Sequence, residues 1–276
     1  MAYARSVVTF VDILGFADLV RNGTEADVVE RLDAMSETAA KPVGLDAHLT
    51  TVVSFSDSVI RVRPVEPETV YDALVHEIQD LAAAKWSLLE FGMLIRGGTT
   101  VGPVFAGEGR VFGPGFVQAY RLESSLAVSP RIVIDPGIIE TIRDHLRGAG
   151  TVSTRAELIT GLRDHVRLGD DGVWFIDYIN SVSIVAGGDF VRNGLPAIRE
   201  FIIEAAQEFS GQPLILPKYL WQIRYFNSSV KRLFPADRNL KIRAACRFPL
   251  RSDPVFPSRN DPGDGMSRRA GFGSSW

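Results

Sequence analysis

The sequence predicts an α+β fold in which helices cover an antiparallel sheet. Short runs rich in β-branched and aromatic residues alternate with longer segments whose apolar residues recur at helical spacing. The length of 276 residues suits one or two domains, and 46% hydrophobic with 23% charged residues is an ordinary globular composition. This composition excludes a disordered or fibrous chain.

The first elements are a buried strand, a helix and a hairpin. Residues 6–13 form a β-branched and aromatic run typical of a buried strand. Thr24 is a predicted N-cap, because Asp27 stands three residues later as in a capping box and a helical apolar pattern follows. Residues 49–62 hold two strand-like runs, so we expect a hairpin that carries Asp57 near its tip.

The following elements continue this alternation. Pro67 opens a helix whose apolar face ends before Gly92, a natural C-cap. Residues 93–101 return to strand, a helix is predicted near residues 115–128, and the run RIVID at residues 131–135 supplies another strand. The resulting order, β-α-ββ-α-β-(β)-α-β, fits a ferredoxin-like arrangement of an antiparallel sheet with helices.

The last third of the chain changes in character. Residues 173–178 read as a strand, and residues 195–209 and 217–233 read as two amphipathic helices. These helices form either a separate subdomain or a layer packed back onto the sheet. Of residues 251–276, 12 of 26 are Gly, Pro or Ser, so isolated burial does not offset the ordering entropy and we expect a flexible tail.

Composition also narrows the classes of function. No stretch approaches the ~18 apolar residues of a membrane span, and Asp12 interrupts the apolar start of the chain, so we expect a cytoplasmic protein without a membrane partner. The net charge of −3 offers no field for nucleic acid. A single cysteine, Cys246, excludes an internal disulfide, and four scattered histidines predict no zinc site. Any metal is therefore expected on carboxylates.

Two carboxylates are placed where such a metal site is expected. Asp12 lies at the exit of the first strand, and Gly15 follows in a turn whose backbone amides can bind phosphate. Asp57 lies on a hairpin that is expected to pair beside this strand. Alone, Asp12 is as readily a residue that caps the following turn, and Asp57 is more often a turn residue. Together, two acids near phosphate-binding amides are what two Mg²⁺ or Mn²⁺ ions on a triphosphate require.

These residues carry a resemblance to a known family. The run Phe10 to Phe16 resembles the F-x-D-I-x-G-F signature of class III nucleotide cyclases, and Asp57 stands where that family has its second metal-binding Asp. Residues 94–107 resemble the family's R-x-G-x-x-x-G-x-V-x-x-G segment, and residues 121–124 resemble its A-x-R-x-E-S helix. The resemblance spans about residues 5 to 135.

The resemblance implies a reaction and a metal site. A nucleoside triphosphate would be cyclised to a 3′,5′-cyclic monophosphate with loss of pyrophosphate. Asp12, Asp57 and the backbone carbonyl of Ile13 would hold two divalent cations, Mn²⁺ or Mg²⁺.

The resemblance also implies nucleotide-binding residues. Phe10, Gly15 and Phe16 would contribute to the nucleotide site, with the amides around Gly15 and Phe16 on the phosphates. Arg121 would be the catalytic residue that stabilises charge developing on the α-phosphate. A solvated helix position is the alternative reading of Arg121.

Three positions depart from the purine cyclases of this family. The positions of their base-reading Lys and Asp are Val53 and Arg110 here, and the position of their Asn is Val117. A valine side chain forms no hydrogen bond with a base or a ribose, so the family's usual purine readout is not expected. Because both metal Asp residues are present, a different base is a better interpretation than a decayed site.

A second resemblance points to that base. The chain to about residue 235 resembles the pyrimidine cyclases of bacterial Pycsar anti-phage defence, a branch of class III. The segments that carry the resemblance are DILGF, SFSDS, IRGG, FGPG, AYRLE, FIDY and KYLWQIRYFN. It implies synthesis of cyclic UMP or cyclic CMP as a signal for a separate effector, which would be an indirect partner.

The choice of base is open between uracil and cytosine at this level. Arg110 can donate hydrogen bonds to either pyrimidine, and Thr50 or Thr51 is expected to supply the group that distinguishes them. We expect UTP as substrate, with CTP as the alternative. An active purine cyclase and a catalytically silent nucleotide-binding sensor are the two further alternatives.

The family resemblance completes the expected organisation. Residues 1–147 would form the catalytic domain, residues 148–250 an α/β extension that packs on it or on the dimer, and residues 251–276 the tail. In this family the metal Asp residues and the base-contacting groups of one site come from two chains. One chain here carries both halves, so we expect a homodimer with two composite sites.

Overall fold

The computed structural model describes residues 2–42, 47–138, 141–142 and 161–243. The strands in this part of the chain are β1 (Ala4–Ile13), β2 (Thr51–Phe55), β3 (Ser58–Pro64), β4 (Ile95–Gly107), β5 (Arg110–Phe112), β6 (Ile132–Ile134), β7 (Val166–Leu168) and β8 (Trp174–Ile176). The helices are α1 (Phe16–Asn22), α2 (Glu25–Glu37), α3 (Val70–Glu90), α4 (Pro114–Arg121), α5 (Tyr178–Ala186), α6 (Gly188–Glu208) and α7 (Leu216–Leu233). The predicted α+β class is confirmed.

One sheet organises the molecule. Its strand order in the described residues is β2-β3-β1-β4-β6-β8-β7, with β5 paired to the far half of β4. The pairing is antiparallel, as predicted, except between β4 and β6, which are parallel. Strand β1 lies between β3 and β4, and side chains at its carboxyl end therefore meet residues of both neighbours.

The two faces of the sheet are covered unequally. The larger apolar core lies between the sheet and helices α3, α5 and α6. On the other face, α4 packs over a smaller cluster that includes Val8, Phe10 and Ala119. Since side chains alternate along a strand, Phe10 and Asp12 lie on the α4 face while Val11 and Ile13 enter the larger core.

Local signals place most elements correctly. The Thr24 hydroxyl accepts a hydrogen bond from the backbone N–H of Asp27, and the Asp27 carboxylate accepts one from the backbone N–H of Thr24, which confirms the predicted capping box. Residues 56 and 57 join β2 and β3 in the predicted hairpin. Helices α1 and α5 were not predicted, because each directly follows a strand whose apolar run hides the boundary.

Three helix boundaries differ from the prediction. Helix α3 begins at Val70, not at Pro67, which lies in the turn before it. Helix α6 begins at Gly188, not near residue 195, although Pro196 lies inside it. Pro196 is on the exposed face of the helix, where water can satisfy the carbonyl that the proline leaves without a donor. The helix predicted to reach residue 128 ends at Arg121 and continues as a wider π-helical turn over Leu122–Leu126.

The C-terminal helices pack onto the core of the sheet. Buried residues of α5, α6 and α7 join the same apolar cluster as those of β1 and α3. The expected domain boundary at residue 147 and the expected tail lie outside the described residues. No helix in the described ranges combines the length and apolarity needed to cross a membrane.

Candidate active site

Asp12 occupies the position at which β1 leaves the sheet. It pairs in register with Ser58 of β3 on one side and with Arg96 of β4 on the other. The Ser58 hydroxyl donates a hydrogen bond to Asp12 Oδ1 at 3.2 Å, and Arg96 Nη2 lies 3.3 Å from Asp12 Oδ2. The sheet register therefore determines both polar neighbours of this carboxylate.

Asp57 is brought to the same place by the β2–β3 turn. The preceding residue, Ser56, has a positive φ of 54°, which closes the turn in two residues. The backbone carbonyl of Asp57 accepts a hydrogen bond from the N–H of Ile13 at 3.3 Å. The two acids expected to bind metal thus lie side by side. After burial, the charge of the Asp57 carboxylate is the next cause that raises the pKa of Asp12.

A third acid and one guanidinium complete the group. Glu123, in the turn after α4, is buried, and its Oε1 lies 2.8 Å from Arg96 Nη2. We call Asp12, Asp57 and Glu123 the carboxylate cluster. Arg96 contacts two of its members. Arg96 and Glu123 lie within family-like segments of the sequence, residues 94–107 and 121–124, but were not predicted as site residues. The available signal was that each is an ionisable side chain within such a segment.

Within the carboxylate cluster, the pKa values of Asp12 and Glu123 are raised. Burial and, next, the charge of Asp57 raise the pKa of Asp12 from 3.8 to about 7. Burial also raises the pKa of Glu123, although Arg96 opposes the shift. Converging carboxyl groups that repel one another are stabilised when a cation lies between them, which is the expected behaviour of a site for divalent ions.

The donor set fits ions that are shared with a substrate. In the described part of the chain, no group of three or more His, Cys, Asp or Glu side chains is arranged as a complete metal site. Mg²⁺ is commonly held by one or two carboxylates together with phosphate oxygens and water. Asp12 and Asp57 supply two carboxylates, which is the number that a protein commonly contributes to such a site.

The turn after β1 presents free backbone amides. Gly15 has a φ of 89°, a conformation that favours glycine, and a Cβ at this position would meet open space. The N–H of Leu14 donates to the carbonyl of Leu94, but the N–H groups of Gly15 and Phe16 have no acceptor among the described residues. They are available to an anion that lies beside Asp12.

Arg110 lies at the opposite end of the sheet within one chain. Asp12 pairs with Arg96 at the start of β4, whereas Arg110 pairs with Gly107 at its end. The eleven residue steps from Arg96 to Gly107 correspond to roughly 35 Å of extended strand. A single chain therefore does not bring Arg110 to the carboxylate cluster.

Three further predicted residues form no hydrogen bond or ion pair with the cluster in the described structure. Arg121 is exposed at the end of α4 and forms no ion pair with Asp12 or Asp57 in the described structure. The Thr50 hydroxyl is buried and has no hydrogen-bond partner among the described residues. The ring of Phe10 packs edge-on against Tyr120, with ring centroids 5.5 Å apart, so within one chain it is a packing residue.

Comparison with known proteins yields solved structures only. No protein-family model and no curated protein matches this chain. The adenylyl cyclase CyaB from P. aeruginosa is 20% identical with a TM-score of 0.39, over 51% of this chain and 82% of that one. The guanylyl cyclase Cya2 is 18% identical with a TM-score of 0.40, over 64% of this chain and 94% of that one.

A third similar structure is a class III adenylyl cyclase-like ATP-binding protein from Pseudomonas aeruginosa. It is 16% identical with a TM-score of 0.43, over 66% of this chain and 40% of that one. Because these TM-scores lie below 0.5, the function proposed below rests on the residues of this chain. The three structures named above are thus an adenylyl cyclase, a guanylyl cyclase and a class III adenylyl cyclase-like ATP-binding protein.

Proposed function

We propose that this chain is a nucleotide cyclase that converts UTP to 3′,5′-cyclic UMP and pyrophosphate. The observation that carries the proposal is the convergence of Asp12 and Asp57 beside the free amides of Gly15 and Phe16. Paired carboxylates next to an anion-binding turn suit a triphosphate with its divalent cations. The wider role, a signal to an effector in anti-phage defence, rests on the Pycsar-like segments of the sequence.

In this proposal, the carboxylates bind the metal ions and the adjoining turn binds the phosphates. Asp12, Asp57 and the carbonyl of Ile13 hold two divalent cations, Mn²⁺ or Mg²⁺. When bound, these ions lower the pKa of the ribose 3′-hydroxyl and neutralise charge on the phosphates. The amides of Gly15 and Phe16 orient the phosphate chain for in-line displacement at the α-phosphorus.

The remaining groups come from a second copy of the chain. Arg110 lies too far along β4 to serve its own carboxylate cluster, and Arg121 is exposed, so both are free to enter a site across a dimer interface. There, Arg121 stabilises charge on the α-phosphate, and Arg110 donates hydrogen bonds to the pyrimidine carbonyls. The buried hydroxyl of Thr50 is the proposed second contact to uracil.

The substrate is tested by supplying each of the four ribonucleoside triphosphates with Mn²⁺ and identifying the cyclic products by mass spectrometry. We expect cyclic UMP as the main product. Cyclic CMP alone would move the assignment to cytidylate, and cyclic AMP or cyclic GMP alone would contradict a pyrimidine site. Tight metal-dependent nucleotide binding without turnover would contradict catalysis and indicate a sensor.

The metal residues are tested by Asp12→Ala and Asp57→Ala, with Asp33→Ala as a control. Asp33 is an exposed acid on α2, so its loss changes the net charge equally without touching the site. We expect each site variant to lower turnover by about 10²-fold or more, the scale on which a transition-state charge contact acts. Pyrophosphate release measures the effect, and near-control turnover in either variant would remove that residue from the site.

A further inference from the structure

A cavity of about 340 Å³ separates the turn after β1 from the C-terminal helices. Gly15 and Phe16 of the turn line this cavity together with Lys218 and Tyr219 of α7. Arg31 of α2 also contributes to the lining. The helices of the C-terminal extension therefore face the same turn to which the proposed function assigns the phosphates.

One cationic side chain in the lining of this cavity, Lys218, is available to bind an anion. Lys218 is half-buried in the first turn of α7 and forms no ion pair among the described residues. The acid Asp18 accepts a hydrogen bond from Asn22 at 2.9 Å. The other acid in the lining is Glu208, whose charge, after burial, raises the pKa of Tyr219. Neither acid forms an ion pair with Lys218 in the described structure.

Lys218 also lies within electrostatic range of Arg96. Burial and, next, the positive charge of Arg96 lower the pKa of Lys218, so the two cationic groups are close enough to repel each other. Arg96 itself contacts Asp12 at 3.3 Å. The Lys218 ammonium and the Arg96 guanidinium thus repel each other, and an anion bound between them would reduce that repulsion.

We propose that Lys218 binds the terminal phosphate of the nucleotide, which makes helix α7 of the C-terminal extension part of the active site. A triphosphate whose α-phosphate lies near Asp12 runs past Gly15 and Phe16 and ends in the cavity beside Lys218. An ammonium group on a flexible stem suits a phosphate, which it meets as a point charge. The identity of the anion rests on the proposed function, whereas its position rests on the cavity and its charges.

The test compares Lys218→Met with Lys218→Arg and Lys231→Met in the full chain. Lys231 is an exposed lysine in the last turn of the same helix and controls for the lost charge. Binding of inorganic tripolyphosphate with Mn²⁺, measured by calorimetry, needs no turnover. We expect Lys218→Met to weaken this binding about tenfold, Lys218→Arg to retain most of it, and Lys231→Met to leave it unchanged.

Kinetics supply a second readout. Charge on the terminal phosphate changes little during cyclisation, so we expect Lys218→Met to raise the KM for the nucleotide about tenfold and to change kcat much less. Unchanged tripolyphosphate affinity in Lys218→Met, with a melting temperature equal to that of the wild type, would overturn the inference. Failure of the wild type to bind tripolyphosphate would overturn it as well.

Different results refute the proposed cyclase activity and the proposed role of Lys218. If no nucleotide is turned over by the wild type but Lys218→Met still loses tripolyphosphate affinity, cyclase activity is refuted and Lys218 remains an anion-binding residue. If the wild type makes a cyclic nucleotide and Lys218→Met matches it in both KM and tripolyphosphate affinity, the cyclase stands and the role of Lys218 is refuted.

Discussion

At the residue scale, the carboxylate cluster lowers the stability of the fold, because its acids converge at the site proposed to bind metal. Asp12 is largely buried, with 16% of its side chain exposed, and it shares its surroundings with Asp57 and Glu123. Arg96 is the cation that contacts the cluster. Repulsion among carboxylates costs folding free energy that an uncharged side chain at the same position would not cost.

We therefore expect Asp12→Asn to raise the melting temperature of the metal-free protein while it abolishes turnover. The folded-state pKa of Asp12 is about 7, above its ordinary value of 3.8. Stability contributed by protonation of Asp12 is complete below the ordinary value and is lost as the pH rises through about 7. The gain in the variant is therefore largest above pH 7 and disappears at low pH.

Thermal melts in EDTA at several pH values measure this gain. Asp33→Asn is the matched control, because it removes an exposed acid and is expected to change the melting temperature little. A lower melting temperature for Asp12→Asn than for the wild type at pH 8 would contradict the repulsion on which the prediction rests.

At the element scale, strand β3 and helix α3 are joined by buried ion pairs as well as apolar packing. Arg61 donates to both oxygens of Glu77, at 2.8 and 2.9 Å, and to Asp80 at 2.7 Å. Arg63 lies beside the same acids, 3.3 Å from Asp80 and 3.6 Å from Glu77. Glu77 and both arginines are buried to the same degree, with 1% of each residue exposed.

Removal of the Glu77 charge leaves two buried arginines with too little negative charge nearby. We expect Glu77→Gln to lower the free energy of unfolding by about 3–5 kcal/mol, the usual cost of breaking a buried ion pair. Glu37→Gln is the control, since Glu37 pairs with Lys41 on the exposed surface of α2, where such a pair contributes about 0.5 kcal/mol. Denaturant titration measures both, and equal losses would show that the buried network contributes no more than a surface pair.

At the scale of the whole molecule, the extension and the sheet share one core, but the proposed site needs two chains. Tyr225 of α7 donates a hydrogen bond to Asp177 at 2.7 Å and accepts one from the N–H of Ile179 at 3.1 Å, so α7 is tied to the start of α5. This attachment holds Lys218 at the cavity beside the Gly15 turn of its own chain. Arg110 lies too far along β4 to reach the carboxylate cluster of its own chain, and Arg121 is exposed and forms no ion pair with Asp12 or Asp57 in the described structure.

We expect Asp57→Ala and Arg121→Ala to complement each other when their subunits exchange. A heterodimer of the two variants contains one site with both lesions and one intact site. Random exchange of equal amounts yields half heterodimers, so activity recovers to roughly a quarter of the wild type if the sites are independent. Either variant alone, put through the same exchange, is the control. No recovery in exchanged mixtures would place both residues in the same site or remove Arg121 from it.

Much of this protein is determined locally along its sequence. The Thr24 cap, the hairpin that carries Asp57 and the position of Asp12 at a strand end follow from side-chain patterns within a few residues. Because adjacent strands bring their ends together, local patterns were also enough to predict that Asp12 and Asp57 meet.

Tertiary structure decided which charged side chains join them. Arg96 meets Asp12 only through the register of β1 against β4, and Glu123 only through the docking of α4. Lys218 reaches the turn at Gly15 because α7 packs back across the sheet, far along the chain from that turn. Such contacts depend on strand register and helix docking, which the whole core determines and which no local run of residues encodes.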